Sequence, residues 1–100
     1  MGYGVESGTE ENMKIKNEYI MRKIAGETVI VPVGDAAARF SGMITLNETG
    51  EFIWTFLQKE NSEDGLLNAM LEEFEVDRDR ASADIASFLE ILRKNNMLEE

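Results

Sequence analysis

Cysteine and histidine are absent from this chain of 100 residues, and proline and tryptophan occur once each. Without thiols there can be neither disulfides nor thiolate metal ligands. Without imidazole the common zinc sets, nucleophile–histidine pairs and histidine proton shuttles are excluded as well. No apolar run approaches the roughly 20 residues of a membrane span, and the N-terminus has neither the basic segment nor the apolar core of a secretory signal. A cytoplasmic protein without membrane contact is expected. The glycines form neither a Gly-x-Gly-x-x-Gly nor a Gly-Lys-Ser pattern, so no phosphate cradle is expected, and Gly34 and Gly42 are read as turn residues. Carboxylates crowd at Glu72, Glu73, Glu75, Asp77 and Asp79, yet the spacing of a calcium loop is missing. A solvated helix end with an N-cap accounts for them. No catalytic residue, metal or cofactor is expected, and the chain is not expected to be an enzyme.

What is present is a hydrophobic content of 43%, enough for one modest core and one domain. The formal charge of −10 is unevenly placed. Residues 1–12 hold three acidic side chains, residues 13–46 five basic against three acidic, and residues 47–100 five basic against fourteen acidic. A charged partner feels that asymmetry within a Debye length, about 8 Å at physiological salt.

Residues 1–12 contain three glycines and few apolar residues, which predicts a disordered tail; the domain is expected over residues 13–100. Two β-favouring runs around Ala25-Gly26-Glu27 predict a hairpin with strands near 19–24 and 28–33, the second ended by Pro32. Residues 34–42 read as a connection from which Phe40 folds back on the core. Met43-Ile44-Thr45-Leu46 predicts a third strand, and after Asn47 the apolar period changes to Phe52, Ile53, Phe56 and Leu57, which is helical spacing. This junction carries the single Trp and is the expected centre of the core. Three helices are predicted: about 48–58 with Asn47 as cap, about 63–74 with Ser62 as cap, and from after Asp77 to about 94, stopped at Asn95-Asn96. In the last, Ala81, Ile85, Phe88, Leu89 and Leu92 share one face, and Met97 and Leu98 pin the C-terminus. The expected fold is α+β: an N-terminal three-stranded antiparallel sheet followed by a three-helix bundle, a winged helix-turn-helix-like arrangement.

A winged helix suggests DNA, and Arg78 and Arg80 near the start of the last helix are candidates for phosphate contacts. Asp77, Asp79 and Asp84 surround them. Duplex binding draws its affinity from cations displacing counterions, so a DNA-binding regulator is the alternative rather than the main expectation, and no nucleic-acid partner is expected. An acyl or peptidyl carrier would attach its arm to a serine at a helix start, but Asn61-Ser62-Glu63-Asp64 lacks the Asp-Ser-Leu pattern and Ser62 is explained as a cap.

Ile30-Val31-Pro32-Val33-Gly34, Leu46-Asn47-Glu48-Thr49-Gly50 leading into Phe52-Ile53-Trp54, Ala69 to Phe74, and Asp84-Ile85 with Phe88-Leu89 and Leu92 before Met97-Leu98 resemble the coenzyme PQQ synthesis protein D family. The resemblance covers roughly residues 14–98 and is most specific at Leu-Asn-Glu-Thr-Gly. It implies a domain without chemistry of its own that recognises the leader segment of a ribosomally made precursor peptide. Such a domain delivers its client to a modifying enzyme, often a radical S-adenosylmethionine enzyme. It implies too that the leader adds as an antiparallel strand to the third strand, in a groove walled by the third helix. On this chain the implied positions are Met43, Ile44, Thr45 and Leu46 on the strand, with Asp84, Phe88 and Ile91 on the helix, in preference to Ser82, Ala86 and Arg93 on its other flank. Main-chain hydrogen bonds contribute about 0.5 to 1.5 kcal/mol each, whereas association costs on the order of 4 to 15 kcal/mol. Apolar pockets beside the edge must therefore supply the remainder. Arg22, Lys23 and Arg39 in the sheet half would suit an acidic leader if they border the groove, which the sequence does not decide.

Overall fold

In a computed structural model that describes residues 12–39 and 43–99, the elements follow in the order β1 (Asn12–Ile15), β2 (Tyr19–Ile24), β3 (Glu27–Pro32), α1 (Ala36–Arg39), β4 (Ile44–Leu46), α2 (Glu48–Phe56), β5 (Asn61–Ser62), α3 (Glu63–Glu73), α4 (Arg78–Lys94) and β6 (Leu98–Glu99). This is an α+β fold with antiparallel sheets. Of the expected features, the tail over residues 1–11, Phe40 and Gly42 lie outside the described residues. Asn12, expected in that tail, belongs to β1.

The first sheet has the order β2-β3-β4. Its hairpin turn places Ala25 at φ 54° and Gly26 at φ 85°, the two positive values that match the right-handed twist of the flanking strands. Register then follows from Ile24 opposite Glu27 to Tyr19 opposite Pro32. Pro32 ends β3, as its missing N–H requires. Across the next pair, Thr28 faces Leu46 and Ile30 faces Ile44. These four share the face turned to the helices, because alternate residues of a strand share a face. Thr28, 3% exposed, donates its hydroxyl to the Glu51 carboxylate, which ties the first turn of α2 to the sheet.

A second sheet accompanies the first, and no sequence pattern predicts it. β1 lies between β5 and β6, with Met13 opposite Asn61 and Ile15 opposite Leu98. Two further bonds fix it, from Ile15 N–H to the Leu57 carbonyl and from Lys16 N–H to the Met97 carbonyl, both 2.9 Å. The residues between Gly34 and Phe40, read as a plain connection, include the short helix α1.

The helix boundaries follow their caps. Gly50 N–H donates to Asn47 Oδ1 at 2.8 Å, Gly65 N–H to Ser62 Oγ at 3.0 Å and Arg80 N–H to Asp77 Oδ1 at 2.8 Å, each satisfying a donor of the first turn that the helix itself leaves unpaired. α4 stops where Asn96 takes φ 58°. There Met97 N–H reaches the Leu92 carbonyl and Asn96 N–H the Arg93 carbonyl, the double bond of a left-handed helix terminus. Between sheets and helices lies one core that includes Met13, Ile30, Leu46, Ile53, Trp54, Leu57, Met70, Ile85 and Leu89. Burying each large side chain contributes roughly 1.5–3 kcal/mol. Phe52 stacks with Phe56 at 6.2 Å and meets Phe74 edge-on at 5.4 Å, at the border of this core.

Candidate functional site

β4 is the last strand of its sheet, and no strand among the described residues pairs with its outer edge. Its N–H and C=O groups on that side are what a further strand would use. Ile44 and Leu46 point toward the helices while Thr45, the residue between them, is exposed on the opposite face. β4 turns directly into α2 at Asn47, and Phe88 and Ile91 of α4 face it. The space between them is an open cleft of about 370 Å³ lined by Ile44, Thr45, Leu46, Asn47, Phe88 and Ile91.

A second cavity of about 270 Å³ continues from the first, and Asn47, Phe88 and Ile91 line both. Its further walls are Thr49 and Gly50 from the first turn of α2, and Arg80, Asp84 and Ser87 from α4. A side chain at Gly50 would place its Cβ 3.4 Å from Phe88 and from Leu46. Gly50 has no positive φ; here glycine is a matter of room between α2 and α4. Arg80 Nε lies 3.5 Å from Asp84 Oδ2, one turn along the helix. That is an exposed pair of little energetic weight.

Of the residues implied by the sequence, Ile44, Thr45, Leu46, Phe88 and Ile91 meet in the first cleft, and Asp84 lines its continuation. Met43 precedes β4 and is 59% exposed. Ile91, on the rim, is 42% exposed. Helical spacing explains the grouping, since 84, 88 and 91 fall on one stripe. On the other flank, Arg93 lies toward β1, with Nη2 3.6 Å from Met13 Sδ. The sequence did not single out Thr49, Gly50 or Ser87 as site residues, and it raised Arg80 only as a candidate for phosphate contacts. Extending the stripe back from Asp84 reaches Arg80, so the signal for that one was present.

One point that the sequence leaves open is decided. Arg22 and Lys23 lie on β2, at the opposite edge of the sheet with β3 between them and β4, and Lys23 approaches Glu51 at 3.8 Å. They do not line the cleft and lend no support to an acidic client; the side chain of Arg39, the third residue named for it, lies outside the described residues. No helix among the described residues is long and apolar enough to cross a membrane.

Comparison with known proteins places this geometry in context. A family model described as "Coenzyme PQQ synthesis protein D (PqqD)" matches residues 24–98. Among solved structures, "TbiB1 in Complex with the TbiA(beta) Leader Peptide" is similar with a TM-score of 0.61 and 25% identity, over 86% of this chain and 94% of that one. "Lasso peptide synthetase B1 complexed with the leader peptide" shares the fold with a TM-score of 0.62 at 22% identity, over 88% of this chain and 98% of that one. No curated protein matches in sequence.

Proposed function

The chain belongs to the coenzyme PQQ synthesis protein D family, and on that premise we propose that it binds the leader segment of a ribosomally made precursor peptide as an added strand on β4. The supporting observation is the conjunction of an outer edge on β4 that no strand among the described residues pairs with and an apolar wall, Phe88 and Ile91, facing it across one cleft. A peptide laid there would gain main-chain bonds from the edge and side-chain burial from the wall, the two contributions strand addition needs. TbiB1, similar over most of its length, is the subject of a complex with a leader peptide, which is consistent with this use of the fold.

The domain acts without chemistry of its own, holding the leader while a modifying enzyme works on the remainder of the precursor. A radical S-adenosylmethionine enzyme is the class the family resemblance implies. The sheet with α2, α3 and α4 leaning on it is read as winged-helix-like, with residues 13–100, together with Asn12 of β1, as the folding unit. The peptide contacts are assigned to Met43, Ile44, Thr45 and Leu46 on the strand side and Asp84, Phe88 and Ile91 on the helix side.

The test is leader binding, measured by fluorescence anisotropy with the precursor encoded beside the gene. Ile91→Glu puts a charge on the apolar wall and is expected to weaken binding at least about tenfold. Met21→Glu, an exposed site on β2, is expected to leave it unchanged. Equal effects of the two, or none from Ile91→Glu, would contradict the assignment.

A further inference from the structure

The continuation of the cleft has walls unlike those of the cleft itself. Its floor is apolar, formed by Ile53, which is fully buried, and by Phe88. Its rim is polar: Thr49 and Ser87 bring hydroxyls, and Asp84 and Arg80 are the ionisable groups that line it. The Asp84 side chain is 38% exposed, and Arg80, which meets it through Nε at 3.5 Å, is 72% exposed. The carboxylate is thus engaged on one side and open on the other. Gly50, buried beside this cavity, lets α2 pack close against α4, since a Cβ there would lie 3.4 Å from the Phe88 ring.

We propose that this second cavity is a subsite for a cationic side chain, lysine or arginine, of the bound peptide, two residues before the apolar residue that fills the first cleft. The inference rests on the leader-binding reading and adds the side-chain preference. Spacing supports it. Phe88 and Asp84 are four residues apart on α4, about 6 Å along its axis, and side chains on one face of an extended peptide recur about every 6.6 Å. Polarity follows from the direction of β4. The second cavity lies beyond its C-terminal end, at Asn47 and Thr49. A peptide running antiparallel to β4 enters from that end, so its earlier residue occupies the second cavity.

Charge favours the cation. Residues 47–100 carry fourteen acidic side chains against five basic ones, so the field over the helical half attracts positive charge. An apolar stem against Phe88 and Ile91 with a charged tip at the rim is how lysine and arginine occupy such a boundary. The incoming cation takes the open side of Asp84 and displaces or joins Arg80.

A phage-displayed library of random octamers, selected on the intact protein, tests this whatever the identity of the natural client. Enriched clones are expected to carry Lys or Arg two positions before Leu, Ile or Phe. In a synthetic copy of the best binder, replacing that cation by Glu is expected to weaken binding about fivefold or more. The same selection on Asp84→Asn is expected to retain the apolar residue and lose the cation, which a merely structural role for Asp84 would not produce. Binders that shift the amides of 44–46 but show no cation preference, or prefer Glu, would overturn this inference and leave leader binding standing. A selection yielding no binder that shifts those amides would contradict the leader-binding reading, and this inference with it.

Discussion

At Ala25 a residue with a Cβ occupies φ 54° beside Gly26 at φ 85°. L-residues other than glycine, asparagine and aspartate pay roughly 1–2 kcal/mol there. Asparagine is the preferred occupant of such a turn. Ala25→Asn is therefore expected to stabilise the fold by about 0.5 to 1 kcal/mol, read as a higher urea midpoint with an unchanged slope; a lower midpoint would show that the turn is not strained as described. At the same scale, the helix caps Asn47, Ser62 and Asp77 and the stop at Asn96 were legible in the sequence, because each acts on backbone groups within four residues of itself. The partner of Thr28 was not. Its hydroxyl meets Glu51, 23 residues away, and no local pattern announces a bond made only when helix and sheet pack together. The place of Arg22 and Lys23 was not legible for the same reason, since being in the sheet half does not say at which edge of the sheet a residue lies.

Among the elements, β4 and α4 were recoverable because each advertises itself by period: a strand that breaks abruptly into a helix, and a long amphipathic helix whose stripe at 84, 88 and 91 borders its core face. The second sheet was not. β5 and β6 have two residues each, too few to show alternation, and β1 recruits both from positions dozens of residues away. Yet β1 buries Met13 and Ile15, each 2% exposed, in the common core. Ile15→Ala is expected to cost about 2–5 kcal/mol of unfolding free energy, measured by urea denaturation. A loss below about 0.5 kcal/mol, the range of ordinary surface changes, would mean that β1 is peripheral.

Among the described residues, the β2-β3-β4 sheet has two edges, and they differ. β2 carries Arg22 and Lys23 and has exposed Met21 and Ile24, whereas β4 faces α4 across an apolar cleft. Charged residues on an open strand discourage pairing; an apolar wall beside one rewards it. The distribution of charge points the same way, with an acidic helical half unsuited to nucleic acid and suited to a peptide bearing positive charge. Strand addition at β4 is the central claim, and amide hydrogen exchange in the presence of the leader peptide tests it most directly. Added protection and shifted amides at 44–46, with residues 20–24 of β2 unchanged, are the predicted result. Protection appearing along β2, or binding that leaves the amides of 44–46 exchanging as in the free protein, would contradict it.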